Sequence, residues 1–259
     1  MIATMVNHNS VQVASCLLAA LVAASSPVHA EGGQASGRGT IKGHVRLVGE
    51  LPGNPVIRMR RDPMCAKITA GKRVVQETVL AALNGDLANV FVKLEGTFPP
   101  SPVPSTPVTI DQRWCVYGPR VVGVQVGQPL EIRNSDDLLH NIHSSSPLKD
   151  NSFNVAQPIK GMMNQFRLKD DGAVVRLACD IHTWMTAYVG VVSHPYFAVS
   201  NQLGTVTIAN VPPGTYSIKA WHEQYGWTTQ SVRVGAGQAS NVEIKFASDA
   251  KVASSKPRG

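Results

Sequence analysis

Short segments in which apolar and polar residues alternate with a period of two recur along the 259-residue chain. They cover residues 41–47, 90–94, 122–126, 130–132, 175–179, 216–220 and 242–246. This period places every second side chain on one face of a pleated strand, so each segment predicts a half-buried β-strand. No segment shows the period of a long amphipathic helix. The pattern therefore predicts an all-β protein.

Proline and glycine mark turns between these strands and two breaks in the chain. In Val211-Pro212-Pro213-Gly214, proline followed by glycine suits a type II turn. Five prolines lie within residues 97–107, where we expect an extended connector because proline lacks the amide hydrogen that an interior strand needs. A second break is expected at His194-Pro195. Residues 248–259 are small and polar and are expected to form a disordered tail.

The N-terminus has the features of an export signal. Residues 16–24 form a short apolar core, and Val28-His29-Ala30 follows as a small-residue cleavage site. We therefore predict a signal peptide over residues 1–30 and a secreted or periplasmic protein. No Lys or Arg precedes the apolar core, and a buried N-terminal helix is the alternative. No apolar run is long enough for a transmembrane helix.

Composition and charge narrow the classes of partner. The chain has 24 Lys and Arg against 17 Asp and Glu, a formal net charge of +7, and only 16% of its residues are charged. The basic residues are scattered and form no runs interleaved with aromatic residues, so nucleic acid is not an expected partner. We expect instead a basic surface that attracts an acidic partner or an anionic envelope surface.

Two segments carry residues with metal-ligand chemistry. Cys179, His182 and Met185 recur at three-residue steps after a predicted strand. Upstream, His140 and His143 lie in a segment that follows the predicted strands of residues 122–132. A thiolate, two imidazoles and a thioether are the ligand set of a mononuclear blue-copper site, in which soft sulfur suits Cu(I) and nitrogen suits both oxidation states.

Residues 107–193 resemble the cupredoxins, most closely the amicyanin and plastocyanin type. The resemblance rests on Val121–Asn134, His140-Asn141-Ile142-His143, Gly161-Met162-Met163 and the spacing Cys179-x2-His182-x2-Met185. It implies a Greek-key β-sandwich with one copper ion, held by His140, Cys179 and His182 as strong ligands and by Met185 as the axial ligand. It also implies that Asn141 holds the two ligand loops together by hydrogen bonds.

The same resemblance implies where electrons leave the site. In the family, the ring edge of the second ligand histidine reaches the surface, so His182, flanked by Trp184, is the expected electron exit. The ligand loop departs from that of the relatives, which often contains proline, and carries Asp180 beside the thiolate. That carboxylate could shift the reduction potential of the copper.

Two alternatives to copper fit the same residues. Zinc could be bound by Cys179, His182, His140 and His143 as a mixed site. The domain could also keep these residues and hold no metal. A binuclear copper centre would need a second cysteine in the ligand loop, and a multicopper oxidase would need paired His-x-His motifs; the sequence has neither.

The four cysteines fall into three roles. Cys16 leaves with the predicted signal peptide, and Cys179 is assigned to the metal. In an oxidising compartment the remaining two, Cys65 and Cys115, could form a disulfide that links the 55–88 segment to the strand before Tyr117. The alternative is two buried free thiols.

The C-terminal part resembles a transthyretin-like, carboxypeptidase-regulatory-like β-sandwich. Residues 204–208, 211–216 and 220–223 carry the resemblance, and residues 43–45 and 88–92 resemble the opening strands of the same module. It implies a split domain of residues 39–96 plus 196–247, with a cupredoxin domain of residues 105–195 inserted; two consecutive domains are the alternative. Such modules are commonly scaffolds or bind carbohydrate. His222-Glu223 is expected to be a strand-end histidine beside a solvated glutamate.

These observations predict an exported copper protein that carries single electrons between redox protein partners. We expect no enzyme, because G-x-S-x-G, paired-carboxylate and phosphate-loop motifs are absent from the sequence. Basic side chains would steer an acidic partner, so association should slow with added salt. The alternative is an envelope binding or scaffold protein. In that case the transthyretin-like module binds polysaccharide or a protein, and the cupredoxin domain is structural or metal-free.

Overall fold

Strands account for most of the regular structure of this chain. The computed structural model describes residues 37–146 and 149–249. The predicted signal peptide, 1–30, lies outside the described residues, and so do residues 250–259 of the predicted tail. Within the described part, strands far outnumber helices, which confirms the all-β class.

The described strands are numbered in chain order. The first are β1 (Gly39–Val48), β2 (Phe91–Glu95), β3 (Val108–Arg113), β4 (Val116–Gly118) and β5 (Val121–Gln125). Next come β6 (Pro129–Asn134), β7 (His140–Ser145), β8 (Asn154–Gln157), β9 (Met163–Arg167), β10 (Val174–Ala178) and β11 (Thr186–Val192). The last are β12 (Phe197–Val199), β13 (Thr205–Val211), β14 (Gly214–His222), β15 (Gly226–Val234) and β16 (Ala239–Ala247). Every alternating segment of the sequence overlaps one of these strands.

Strands from both ends of the described chain share two sheets. β1 is the middle strand of one sheet, antiparallel to β13 and parallel to β16. The other sheet has the order β12-β2-β14-β15. Their apolar faces supply a first core, in which Ile41, Val45, Leu94, Ile218 and Phe246 are buried. These strands come from the ranges 39–96 and 196–247, and the division into domains stays a prediction.

The strands in between form two further sheets. One has the order β5-β11-β10-β7-β8, and the other has the order β4-β3-β6-β9. They supply a second core, in which Ile110, Leu130, Ile142, Leu177 and Val189 are fully buried. The proline-rich stretch 97–107, between β2 and β3, contains no strand, as predicted.

A short helix, α1 (Pro63–Ile68), lies between β1 and β2, and 3₁₀ turns lie at Met59–Arg61 and Lys149–Asn151. Asp62 caps α1, because its Oδ1 accepts a hydrogen bond from the amide of Cys65 at 2.8 Å. Pro63 occupies the first turn, where a missing amide hydrogen costs nothing. No helix in the described residues has the length and apolarity that a membrane crossing needs.

A disulfide joins α1 to the turn between β3 and β4. It links Cys65 and Cys115, whose Cα atoms are 5.8 Å apart. Cys65 and Met59 pack in the second core although both lie in the predicted range 39–96. The segment that carries α1 therefore packs on the sheets of β3–β11.

A close contact between Phe91 and two glycines marks the junction of the two pairs of sheets. Phe91, on β2, packs with Val121 and Val192 in a third, smaller core. Gly190 pairs with Gly123 across β11 and β5, and a Cβ atom at Gly190 would lie 2.5 Å from three carbons of the Phe91 ring. Glycine at these positions makes room for the ring.

The expectation of a solvated Glu223 is wrong. Its side chain is 8% exposed, and its carboxylate accepts hydrogen bonds from Nε and Nη2 of Arg120, the latter at 2.8 Å. This pair ties the end of β14 to the turn before β5. The neighbouring His222 is fully buried, and burial together with the positive charge of Arg120 lowers the pKa of His222 to about 4.

We predict that Gly190→Ala destabilises the fold by roughly 1–3 kcal/mol or more, because the added methyl group overpacks the Phe91 ring. Urea unfolding would measure the loss. Gly53→Ala is the control: a Cβ atom there meets nothing within 4 Å, so its free energy of unfolding should stay within about 0.5 kcal/mol of wild type. Equal stability of the two variants would contradict the packing assigned to this junction.

Candidate metal centre

Two loops meet at one end of the sheet that contains β7 and β10. These strands are antiparallel neighbours with Ala178 opposite His143, so the start of β7 lies beside the end of β10. His140 begins β7, and Cys179 directly follows β10. The register of the sheet therefore brings the two predicted ligand segments together.

His140, Cys179 and His182 form a group whose candidate ligand atoms all lie within 4.8 Å of one another. The Nδ1 atoms of the two histidines are 3.1 Å apart, and Sγ of Cys179 lies 3.5 Å from Nδ1 of His182. None of the three residues is more than 1% exposed. The structure thus places two predicted imidazoles and the predicted thiol around one buried point.

A buried carboxylate holds the outer nitrogen of His140. Nε2 of His140 lies 3.0 Å from Oδ2 of Asp136, which is 5% exposed. An ionised carboxylate only accepts hydrogen bonds, so Nε2 carries a proton, and in the neutral ring Nδ1 has the lone pair that a metal ion needs. Burial acts to lower the pKa of His140, but its hydrogen bonds with Asp136 and the Cys179 thiolate outweigh burial and raise that pKa, so without a metal ion a proton on Nδ1 can serve the thiolate. Burial acts to raise the pKa of Asp136, but hydrogen bonds from His140, Cys115 and Trp114 outweigh it and hold that pKa below its usual value.

The same carboxylate stabilises a strained turn. Trp114 and Cys115 form the two-residue turn between β3 and β4, with φ angles of 56° and 54° that residues other than glycine seldom adopt. Their amides donate to Oδ1 and Oδ2 of Asp136 at 2.8 and 2.7 Å. Two successive amides directed at one anion offset a backbone cost of roughly 1–2 kcal/mol per residue.

A second carboxylate holds the other histidine. Nε2 of His182 lies 3.1 Å from Oδ2 of Asp62, so Nδ1 of His182 is the nitrogen left to bind a metal. The prediction that His182 reaches the surface is wrong. Its ring is 1% exposed because Asp62 lies at its outer edge, and the sulfurs of Cys65 and Cys115 are within 4.8 Å of one ring nitrogen.

The spacing of the donor atoms fits a bound metal ion. Imidazole nitrogen binds an ion such as zinc at about 2.0 Å and thiolate sulfur at about 2.3 Å, so tetrahedral ligands lie roughly 3.3 Å (N to N) and 3.5 Å (N to S) apart. The corresponding distances here are 3.1 and 3.5 Å. Lone pairs that converge in this way repel one another unless a proton or a metal ion shares them. The group could therefore hold a metal ion.

Cys179 is prepared to act as a thiolate. Burial acts to raise its pKa, but hydrogen bonds with His140 and His182 outweigh burial and lower the pKa from 9.0 to about 6. The amide of Asn141 also donates to Sγ, at 3.5 Å. Most of this sulfur is therefore deprotonated at neutral pH, in the form that binds metals.

Asn141 joins the two loops, and His143 lies outside the ligand group. Nδ2 of Asn141 donates to Asp180 at 3.1 Å, and the amide of Asp180 donates back to Oδ1 of Asn141 at 2.6 Å. Asp180 also bonds Nδ1 of the half-exposed His143 at 2.8 Å. Within the described residues, the alternative zinc site with His143 as fourth ligand is therefore not formed.

Trp184 and Met185 close the ligand loop. Met185 is fully buried; its amide donates to the carbonyl of His182 at 2.8 Å, and its carbonyl accepts from the amide of Cys179 at 3.3 Å. Its role as axial ligand stays a prediction. The ring centre of Trp184 lies 5.3 Å from that of His182, and Nε1 of Trp184 donates to the carbonyl of Cys115 at 2.8 Å. Trp184 is partly exposed, unlike His182.

Neither of the carboxylates that hold the histidines was predicted from the sequence. Asp62-Pro63 is a helix-start signal and could have predicted α1. Its contact with His182 spans 120 residues and has no local signal. Asp136 lies four residues before His140, but the sequence does not distinguish it from the exposed Asp137.

Sequence comparisons reach only part of this chain. A family profile described as polysaccharide lyase family 4, domain II, matches residues 171–242, less than a third of the chain. The match begins before β10 and ends within β16. No curated protein matches in sequence.

Solved structures similar to this chain include copper proteins. The purple cupredoxin from Nitrosopumilus maritimus is 21% identical over 32% of this chain and 97% of its own, with a TM-score of 0.28. A Cu(I) form of an amicyanin mutant is 16% identical over 39% of this chain and 97% of its own, with a TM-score of 0.29. A Cu-containing nitrite reductase from Thermus scotoductus is 19% identical over 33% of this chain, which spans only 22% of that protein, with a TM-score of 0.31. With TM-scores this low, the hypothesis of a metal centre rests on the geometry of the site.

We predict that Asp136→Asn weakens the binding of a metal ion at this site by about 10- to 100-fold, because an amide cannot accept hydrogen bonds at both former oxygen positions and His140 loses its fixed tautomer. Competition with a chelator measures the affinity. Asp137→Asn is the control, since Asp137 is the exposed neighbour, and its affinity should match wild type. Equal affinities for the two variants would show that Asp136 does not position the ligand.

The thiol of Cys179 should titrate near pH 6 in the metal-free protein, against 9.0 for an ordinary cysteine. Because the folded pKa is the lower one, the contribution of this group to stability is largest above pH 9.0 and disappears as the pH falls to about 6. Ultraviolet thiolate absorbance measures the midpoint, and Cys179→Ser should remove the transition. A midpoint near 9 would contradict the hydrogen-bonded thiolate.

Proposed function

We propose that this chain is a mononuclear copper protein of the cupredoxin type that carries single electrons. The observation that carries the proposal is that Nδ1 of His182 lies 3.1 Å from Nδ1 of His140 and 3.5 Å from Sγ of Cys179. The outer nitrogen of each imidazole is held by a carboxylate. One thiolate and two imidazoles are the strong ligands of blue-copper sites.

Copper fits these ligands better than zinc. A structural zinc site needs four strong ligands, whereas the group formed by the described residues supplies three. His143, the proposed fourth ligand for zinc, is bonded to Asp180. A long, weak bond from the thioether of the buried Met185 would complete a copper site, whereas methionine is not among the usual zinc ligands.

Electron transfer fits the burial and rigidity of the site. When bound, copper supplies reversible one-electron chemistry. Asp136 and Asp62 orient the imidazoles, and Asn141 ties the two ligand loops together, so the ligand positions need change little when the charge of the ion changes. Because His182 is buried under Asp62, we place the route for electrons at its partly exposed neighbour Trp184.

The setting that we propose is the periplasm or another extracytoplasmic space, with redox proteins of acidic surface as partners. The net charge of +7 would attract such partners. We assign the sheets of β1, β2 and β12–β16 to a transthyretin-like module. The alternative is that this module is the functional part, as a polysaccharide or protein binding scaffold, and the test of colour below separates the two.

The metal-free protein should turn intensely blue when Cu(II) is added, through charge transfer from the Cys179 thiolate to copper. Cys179→Ser should abolish that absorption band. Met185→Leu should keep the colour and raise the reduction potential, because loss of a sulfur donor destabilises Cu(II) more than Cu(I). Absorption spectroscopy and voltammetry measure these results.

Met163→Leu is the matched control, because Met163 is 55% exposed on β9, and it should change neither colour nor potential. A wild-type protein that stays colourless with Cu(II), or that is purified with zinc, would overturn the proposal. Binding of a glycan by that colourless protein would favour the scaffold alternative.

A further inference from the structure

A cavity of about 520 Å³ opens beside the candidate metal centre. Trp184 and Met185 of the ligand loop form one wall, and Trp114 of the β3–β4 turn forms another. Ile57 and Val74 add apolar surface from the segment that carries α1. The volume lies within the range of about 300–1,000 Å³ that is usual for small-molecule sites.

Trp114 is held in an exposed position by Asp136, the carboxylate that also holds His140. It is 43% exposed. Its left-handed backbone, with φ of 56°, is stabilised by the hydrogen bond from its amide to Asp136. The indole is therefore presented to the cavity by a rigid turn, which lowers the cost of binding a ligand against it.

The lining of the cavity has an excess of positive charge. Its charged residues are Lys72, Arg73, Arg113, Arg120, Glu77 and Asp111. Arg120 is neutralised by Glu223, and Asp111 faces Arg133 at 3.6 Å. Among the described residues, Lys72, Arg73 and Arg113 have no salt-bridge partner. Glu77 is the remaining anion of the lining, so the cavity keeps a net positive charge.

Two of these cations lie close to the exposed indole. Nζ of Lys72 lies over the Trp114 ring, 4.8 Å from its centre, and Cζ of Arg113 lies over it at 5.0 Å, so both cations make cation–π contacts with this indole. A planar ligand that takes the place of one of these side chains against the ring would keep an attached anionic group within reach of both cations. The indole and the two cations together favour a ligand that has both an aromatic ring and a negative charge.

We propose that this cavity binds a small planar aromatic molecule that carries a carboxylate or sulfonate group. The site goes beyond the proposed electron carrier and does not require a bound metal. Its ligand would lie against Trp184, whose ring packs 5.3 Å from that of His182. A small molecule in this cavity would thus contact the indole next to a candidate metal ligand.

Calorimetric titration with 2-naphthoate, on the metal-free and on the copper-treated protein, tests the proposal. We expect saturable binding to a single site in both forms. Decahydro-2-naphthoate, which keeps the charge but lacks the aromatic ring, and 2-naphthalenemethanol, which keeps the ring but lacks the charge, should each bind at least about 10-fold more weakly. Failure of 2-naphthoate to bind, or equal affinity for either analogue, would overturn the proposal.

Variants locate the site. Trp114→Ala should weaken 2-naphthoate binding by about 10-fold or more. Trp227→Ala is a close control: Trp227 is 42% exposed on β15, with the Nζ atoms of Lys93 and Lys219 each 5.8 Å from its ring, and its loss should have no effect. Equal effects of the two variants would show that binding occurs elsewhere.

Arg113→Gln removes one positive charge beside the indole and leaves Trp114 and Cys115 in place. Circular dichroism would verify that the variant folds. It should weaken 2-naphthoate binding at least about threefold and leave the affinity for 2-naphthalenemethanol unchanged. Unchanged 2-naphthoate affinity would contradict the proposal even if Trp114→Ala fails to fold. Because the metal-free protein is titrated, failure of this site and failure to turn blue with Cu(II) are separate results.

Discussion

The carboxylate of Asp136 is the contact on which the candidate metal centre depends. It accepts from Nε2 of His140 and from the amides of Trp114 and Cys115, so one buried group fixes a ligand tautomer and stabilises a strained turn. A carboxylate can do this because it offers several lone pairs and no proton. Removing it would leave buried donors unpaired, each at a cost of about 1–3 kcal/mol. The same residue therefore supports the metal ligands and the rim of the neighbouring cavity.

The disulfide extends this constraint to the other histidine. The amide of Cys115 donates to Asp136, and the amide of Cys65 donates to Asp62. Each half of the disulfide is thus bonded to the carboxylate that holds one of the two imidazoles. The cross-link places the start of α1 over His182 and excludes water from it, which strengthens the hydrogen bonds of the site. Met59 and Cys65 therefore pack in the second core, although they lie in sequence between β1 and β2, which belong to the first core.

Burial of both imidazoles changes how a partner could reach the metal centre. With Asp62 at the outer edge of His182, Trp184 is the partly exposed aromatic side chain of the ligand loop. That indole lines a cavity with an excess of positive charge, which Trp114, an exposed indole, also lines. In the proposed function, a redox partner would then approach through the positively charged cavity beside Trp184, and not across a flat surface around a ligand histidine.

The sequence by itself determined the all-β class, the positions of seven of the sixteen strands in the described residues and the spacing of the candidate sulfur and imidazole ligands along one loop, because strand periodicity and ligand spacing are local properties. It also suggested Cys65 and Cys115 as a possible pair, which the disulfide of the structure confirms. Only the tertiary structure decided that Asp136 rather than Asp137 meets His140, that Asp62 covers His182, and that Glu223 is buried against Arg120. The contacts of Asp62 and Glu223 join segments that are distant in sequence, and the disulfide beside Asp62 spans 50 residues. Asp136 lies only four residues from His140, but the amides that hold its carboxylate belong to the turn of Trp114 and Cys115. No local pattern carries that information, since the same aspartate or glutamate is equally compatible with a solvated turn.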